Sequence, residues 1–582
     1  MGTLYISASA RILGRFMRIA LPFWTSNQKW KALRLLAGML LLLVGVALTN
    51  VYINSVVGKY TEALKDGHEG AFWTLLWQYI QALLFATPIT VYYQFLRTKL
   101  AIVWRQWLTQ HLLGRYLAHR TYFHMARDSS IDNPDERMSN DVETFVNMTV
   151  GFTITILDAL ITIATFTYVL ASISQSLTAT VWAYAVVGSI LTVWGGQKLV
   201  GLNFEHVKLE ADLRYSLAEM RRDVESIAFY RGERRAKLYV FKALVRAVKN
   251  QEALMILNRN LGFFTISYNF MAAVIPVAIA APIYFAGHMH FGDMTRATMA
   301  FGNIFAAMTL LVVQINAVSA YAANIDRVGS FIEALDAKGL TLPQPRSVIE
   351  VQVGETLELD NVTVLTPDSS RVLAEKVSFA LDQGERLLIM GPSGAGKSTM
   401  LRAIAGLATA GCGRIIRPDA SKLMFLPQRA YAPTCTLREA VCYPHSSGWA
   451  LDTQLLSTLR LVNLSELAMR AGGLDKEQNW RDMLSNGEQQ RLSFARLLLA
   501  VSGGKRGREA GATTVFLDEA TSALDPKNEN LLYSVLGSLG VCVVSVGHRR
   551  ALIEHHDKLF ILDGKGGGKL LLAKDYQSGE DT

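Results

Sequence analysis

Two things are scarce in this 582-residue chain, and each scarcity removes a class of protein. Cysteine occurs four times, as Cys412, Cys435, Cys442 and Cys542, all in the C-terminal half. No two of them form a CxxC pair, so neither a disulfide framework nor a zinc site is expected, and the thiols read as free ones in a reducing compartment. Charge is also scarce: Asp, Glu, Lys and Arg make up 18% of the chain against 51% hydrophobic residues. That balance suits a protein that is part membrane and part soluble, and the length predicts two or three domains. The net charge is +9, but Lys and Arg gather in loops between apolar stretches. Such a pattern speaks of membrane topology, and no motif supports nucleic-acid binding. No apolar core with a small-residue cleavage site opens the chain, so a cleaved signal peptide is not expected. Internal repeats and low-complexity tracts are missing too.

What is present falls into two halves. Arg11, Arg15, Arg18, Lys29 and Lys31 stand among aliphatic and aromatic residues, a pattern for an amphipathic helix at a membrane surface or for a basic flank that sets orientation. Six apolar segments of spanning length follow, near residues 33–57, 71–96, 142–172, 178–203, 262–287 and 297–325. The segments 97–141 and 204–261 carry seven and twelve Lys/Arg; those at 58–70, 173–177 and 288–296 carry two, none and one. The positive-inside rule then puts both termini and both long loops in the cytosol. The long loops read as membrane helices continued into the cytosol, with turns at Asp132-Asn133-Pro134-Asp135 and Tyr230-Arg231-Gly232-Glu233. Tips around 128–136 and 222–233 are placed to transmit movement of a soluble domain, or are ordinary solvated helices. Within the spans Asp158 is the costly residue, since a carboxylate at mid-membrane needs a partner, water or cargo. Asn269, Gln314 and Asn316 are weaker pathway residues that equally suit interhelical hydrogen bonds. Pro276 and Pro282 are expected to bend the fifth span. The domain reading is a transmembrane region at 1–335, a linker at 336–350, an α/β domain at 351–575 and a polar tail at 576–582.

The chemistry is concentrated in the second half. Gly391-Pro392-Ser393-Gly394-Ala395-Gly396-Lys397-Ser398-Thr399 follows the apolar run Arg386–Met390 and precedes a helical pattern. Strand, glycine-rich loop and helix in that order form a phosphate cradle, with backbone N–H groups and a helix N-terminus facing the anion. Lys397 suits the β- and γ-phosphates and Ser398 a Mg²⁺ ion. Val515-Phe516-Leu517-Asp518 reads as a strand beside the P-loop strand, ending in a second Mg²⁺ ligand. Glu519 follows as the residue that orients the attacking water. Gln428 is placed to touch Mg²⁺ or that water, and His548 to hold Glu519 and the γ-phosphate in line. Leu484-Ser485-Asn486-Gly487-Glu488-Gln489-Gln490-Arg491 offers an anion site at a helix start, useful only if it caps the nucleotide of a partner chain. Ser522-Ala523-Leu524-Asp525 belongs to the same seam.

In this order the elements resemble the nucleotide-binding domain of an ABC transporter. The resemblance makes Gly391, Ser393, Gly394, Gly396, Lys397, Ser398 and Thr399 nucleotide-binding residues, joined by Ser485, Gly487, Glu488 and Asp525. It makes Glu519, His548 and Gln428 catalytic, and Ser398, Gln428 and Asp518 metal-binding. Two departures stand out: LSNGE replaces the commoner LSGGQ, and Val364-Leu365-Thr366-Pro367 stands where many such domains stack an aromatic residue on adenine. Ile131–Met138, Trp104–Thr109, Glu210–Arg214, Gly487–Arg491 and Ser545–Arg549 further resemble the branch of peroxisomal fatty-acyl (subfamily D) transporters and bacterial BacA/SbmA-like proteins. The resemblance implies a half-transporter with six exporter-type helices followed by one ATPase domain. It implies a homodimer that binds ATP and Mg²⁺ in a bacterial inner membrane, with the ATPase domain in the cytosol. Its cargo would be peptides, cobalamin-like or other bulky hydrophilic solutes, or alternatively long-chain fatty acids or acyl-CoA. A regulatory or channel-like ABC protein gated by ATP is the rival from another class.

Overall fold

The computed structural model describes residues 2–126, 133–313, 315–340, 348–366, 370–408, 410–507 and 511–577. The chain divides into two units, Met1–Leu342 and Pro343–Thr582.

The first unit is helical. Its helices are α1 (Gly2–Thr25), α2 (Lys29–Lys65), α3 (Glu69–Leu117), α4 (Thr121–Met125), α5 (Pro134–Glu136), α6 (Val142–Ile173), α7 (Gln175–Arg222), α8 (Val224–Phe229), α9 (Glu233–Phe285), α10 (Phe291–Val313) and α11 (Ile315–Leu340). Among the described residues four helices are long and apolar enough to cross a membrane: Lys29–Lys65, Glu69–Leu117, Pro134–Ile173 and Glu233–Phe285. They contain the expected first, second, third and fifth spans. The expected fourth span lies in α7, where Gln175–Leu191 is a shorter apolar stretch among the described residues. The expected sixth runs across α10 and α11. Large apolar side chains such as Leu41, Tyr168 and Phe285 lie on the outside of this unit. In water that surface would be a liability; in lipid it is the solvent-facing side.

The long helices run past the spans, α3 through 49 residues and α9 through 53, the latter unbroken across Pro276 and Pro282. Arg231 takes a left-handed φ of 52° at the turn before α9, and Asn133 one of 42° before Pro134 opens α5. Phe229 and Tyr230 stand exposed at the tip between α8 and α9. The other tip, at 127–132, lies outside the described residues. The N-terminal helix is docked by its apolar side: Ile19, Ala20 and Phe23 are buried with Trp104, Phe145 and Phe331. Its basic side faces α11, where Arg15 pairs with Asp326 and Glu333. Where α2 meets α10, a Cβ on Gly292 would come within 2.2 Å of the Gly58 carbonyl oxygen, so glycine sets this close approach. The last helix reaches Leu340, inside the segment read as linker. Gly339 does not stop it, since one glycine costs a helix only about 1 kcal/mol.

The second unit is built on two main sheets. Strands β1 (Glu350–Val353), β2 (Leu357–Leu365), β3 (Val372–Leu381), β4 (Arg386–Met390), β5 (Gly411–Arg417), β6 (Leu423–Leu426), β7 (Thr434–Thr436), β8 (Glu477–Asn479), β9 (Thr514–Asp518), β10 (Cys542–Val546), β11 (Lys558–Leu562) and β12 (Gly568–Leu572) alternate with helices, among them α12 (Lys397–Ile404), α13 (Leu437–Cys442), α14 (Asp452–Leu461), α15 (Leu467–Arg470) and α16 (Trp480–Met483). The orders are β1-β5-β2-β3 and β12-β11-β4-β10-β9-β6, with β7 and β8 a separate pair. In the six-stranded sheet β11, β4, β10, β9 and β6 are parallel and β12 closes one edge antiparallel. A parallel sheet is covered on both faces, which explains the unbroken apolar runs. Leu388, Val515, Leu517 and Val543 enter one core, and Leu387, Ile389, Phe516 and Val544 the other. The sheet corrects one expectation. β9 does not neighbour β4, because β10 lies between them; two equally apolar strands cannot be ordered from composition.

Candidate nucleotide site

Between β4 and α12 (Lys397–Ile404) the chain makes the turn that its glycines permit. Gly391, Gly394 and Gly396 have φ of 145°, 78° and 94°. A Cβ on Gly391 would sit 2.4 Å from the Leu562 carbonyl oxygen, and one on Gly396 2.8 Å from Leu373 Cβ. Ser393 is exposed on the loop, and Thr399 lies in the first turn of α12. Lys397 is 6% exposed and donates to the Gly391 and Pro392 carbonyls at 2.8 and 2.9 Å. Burial pushes its ammonium pKa down, opposed by Glu519 and Asp518.

Ser398 reaches across from α12 and donates to Asp518 Oδ1 at 2.8 Å, so the intervening strand does not separate them. Burial pushes the Asp518 carboxyl up, with the Ser398 hydroxyl opposing. A hydroxyl and a carboxylate side by side are the oxygen donors a hard cation requires. Glu519, next in the chain, accepts from Gln428 Nε2 at 2.7 Å on one carboxylate oxygen and meets His548 Nε2 at 2.7 Å on the other. Its backbone is left-handed, with φ of 48°. A non-glycine residue there costs about 1–3 kcal/mol, and such strain gathers at functional sites. Gln428, Glu519 and His548 therefore meet; Gln428 contacts Glu519 rather than Asp518.

The signature segment is organised as a helix start. Ser485 caps α17 (Asn486–Ser502), accepting from the Glu488 N–H, while Glu488 accepts from the Ser485 N–H at 3.0 Å and from its hydroxyl at 3.0 Å. Glu488 also takes a 2.5 Å bond from Arg470. Burial raises the Glu488 pKa, but Arg470 and the cap outweigh it and hold the carboxyl below its usual range. Gly487 packs against the loop that follows Glu519, where a Cβ would stand 3.2 Å from the Ala523 oxygen. Asp525 caps α18 (Pro526–Ser538) through the Asn528 N–H at 2.9 Å.

Sequence reading missed the residues that hold these loops together. Gln490 is buried and grips the loop after Glu519, donating to Ser522 Oγ at 3.2 Å and accepting from Ala523 N–H at 2.9 Å. Arg549 donates to the Leu524 and Ser522 carbonyls and to the buried Glu529, which accepts from Thr521 at 2.6 Å. Arg496, 5% exposed, donates from α17 to the Tyr431 carbonyl at 2.5 Å. The one available signal was adjacency, Arg549 to His548 and Gln490 to the signature.

In the membrane unit the polar residues stay apart. Asp158 is half-buried on α6, with no hydrogen bond or ion pair among the described residues and Tyr93 of α3 within electrostatic reach. Asn269 is exposed on α9. Gln314 lies outside the described residues, as does the Asn316 side chain. Val364 of the adenine-position segment is buried in the core of β2, and Pro367 lies outside the described residues.

Comparison with known proteins agrees with this geometry. Residues 17–285 match the model of ABC transporter transmembrane region 2, and residues 374–508 the model of ABC transporter. An uncharacterized ABC transporter ATP-binding protein of Synechocystis sp. is 42% identical over 549 residues, covering 93% of this chain and 82% of that one. The chloroplastic ABC transporter D family member 2 of Arabidopsis thaliana is 32% identical, with 94% and 85% covered. The human lysosomal cobalamin transporter ABCD4 is 29% identical, with 96% of both covered.

Proposed function

The chain belongs to the ABC transporter family, a membrane protein that couples ATP hydrolysis to transport, and on that premise we propose that it works as a homodimer with two ATP sites at the seam. Each site joins one chain's P-loop to the signature of the other, with Ser485, Gly487, Glu488 and Asp525 on the partner side. In the P-loop Gly391, Ser393, Gly394, Gly396, Lys397, Ser398 and Thr399 hold the phosphates. Ser398 and Asp518, with Gln428, would hold Mg²⁺, which supplies neutralising charge at the β- and γ-phosphates. Glu519 orients and polarises the attacking water, and His548 and Gln428 fix its carboxylate so that neither oxygen swings away.

The observation that carries this reading is Glu519 held at 2.7 Å by both Gln428 and His548. The test is Glu519→Gln: ATP binding persists while turnover falls by about 10³. Turnover at the wild-type rate would remove Glu519 from its role.

The six-span reading, with both termini on the ATPase side, extends the four spans seen and follows the loop charges. A bacterial inner membrane with a cytosolic ATPase unit is the location we propose. For the cargo we propose a peptide, cobalamin-like or other bulky hydrophilic solute. The relative named as a cobalamin transporter matches along nearly its whole length. ATPase stimulation in lipid by amphipathic peptides, cobalamin or acyl-CoA, compared with Glu519→Gln, separates this from an acyl cargo. An absence of hydrolysis altogether would favour a gating protein.

A further inference from the structure

A partly open apolar cavity of about 320 Å³ lies between α1, α2, α3 and α6, lined by Phe16, Leu21, Trp24, Met39, Trp104 and Ile154 among others. Its volume is in the range of sites that take small ligands or a length of hydrocarbon. One wall residue is unusual. Trp104 is 2% exposed, and its buried indole N–H has no hydrogen-bond partner. An unpaired buried donor is costly, and an ester oxygen would satisfy it.

The surroundings state what the occupant carries. No Asp or Glu precedes Glu62, whereas Arg11, Arg15, Arg18, Lys29, Lys31, Arg34 and Lys59 do. Arg15 is spent on Asp326 and Glu333. Lys29, Lys31 and Arg34 are exposed at the start of α2, the helix that supplies Met39 to the cavity. The Arg15 pairs set α1 beside the C-terminal half of α11, from which the chain runs on into the ATPase unit. On the topology proposed above, the cavity then lies in the cytosolic leaflet. Clustered cations next to a span favour anionic lipid.

We propose that this cavity seats one acyl chain of an anionic phospholipid, its headgroup on Lys29, Lys31 and Arg34, and that occupancy braces α1 and sets the ATPase rate. The site rests on the chain being a membrane protein; its effect on rate rests also on the ATPase reading. Two readouts keep these apart.

The full chain is purified, and lipid retained after detergent exchange is identified by native mass spectrometry. Its ATPase is then measured in nanodiscs of phosphatidylcholine with and without phosphatidylglycerol. The expected result is selective retention of phosphatidylglycerol and a several-fold rise in rate when it is present. Thr153→Trp fills the cavity from an exposed position on α6, and the combined Lys29→Gln, Lys31→Gln and Arg34→Gln variant removes the headgroup charge. Each loses retention and the rise while keeping the rate in phosphatidylcholine alone. Retention unchanged by Thr153→Trp would mean that open surface charge suffices and would overturn the seat. Equal retention of both lipids, or of neither, would overturn it as well. Selective retention without any effect on rate would overturn the link to turnover.

Discussion

Glu519 and Asp158 are both carboxylates set among apolar neighbours, one in each unit, and the chain surrounds them differently. Glu519 sits where a parallel strand ends, and loops from two other strands bring Gln428 and His548 to its two oxygens. Asp158 sits in a helix, and no neighbour among the described residues offers it a hydrogen bond or an ion pair. A parallel sheet delivers several chain segments to one edge, so a site there is completed by the fold itself. A membrane helix delivers only its own face, so its carboxylate waits on a neighbouring helix, water or a passing solute. The first arrangement supports the catalytic role proposed for Glu519, and the second the pathway role proposed for Asp158.

The largest effects test that contrast directly. Glu519→Gln is expected to abolish hydrolysis and transport together, with hydrolysis down by about 10³. Asp158→Ala is expected to impair transport of a reconstituted cargo while leaving basal ATPase near the wild-type rate. Equal loss of both activities in Asp158→Ala would make it a packing residue and erase the distinction.

A smaller effect sharpens the comparison through pH. His556 is buried in the ATPase unit, with its ring nitrogens on Ser545 Oγ at 2.9 Å and the Leu552 carbonyl at 2.6 Å. Burial pushes its pKa from the ordinary 6.5 down to about 4. Between those values the unfolded chain binds the extra proton and the folded one does not. Stability from this group is therefore full above pH 6.5 and is lost as pH falls toward 4, by about 3 kcal/mol in total. Thermal unfolding of the ATPase unit, followed within the full chain, should fall over that window. In His556→Gln that limb should flatten. An unchanged acid limb would place the acid sensitivity elsewhere.

Legibility divided along the same line. The P-loop, Asp518, Glu519, the signature and His548 were readable because each depends on local spacing, and local spacing is what a sequence displays. The order of β4, β10 and β9 was not readable, since interchangeable apolar runs carry no label. Gln490, Arg549 and Glu529 escaped because their partners lie 20 to 33 positions away and only folding joins them. In the membrane half, composition marked where apolar helices lie but not where one ends: α11 carries on past Asp336. The N-terminal stretch reads as an amphipathic helix at a membrane surface or as a basic flank; that its Arg15 pairs with Asp326 and Glu333, more than 300 positions on, no local pattern displays.

The smallest effect concerns Gln490, which belongs to the signature helix yet holds the loop that follows Glu519. Its amide is used twice, as donor to Ser522 and as acceptor from Ala523. Leucine at this position keeps the bulk and leaves the Ala523 N–H without its partner, a loss of about 1–2 kcal/mol of loop order, or about tenfold in rate. No P-loop contact is touched, so kcat is expected to fall in Gln490→Leu while KM for ATP holds. Gln490→Glu should recover most of the rate, because a carboxylate can accept from both Ala523 N–H and the Ser522 hydroxyl. The competing support is Arg549, which donates to the Ser522 carbonyl at 3.1 Å and the Leu524 carbonyl at 3.0 Å. If Gln490→Leu turned over normally, Arg549 alone would fix the loop. Arg549→Ala would then be the variant to show the kcat defect, and the signature helix would be coupled to the catalytic loop by packing rather than by hydrogen bonds.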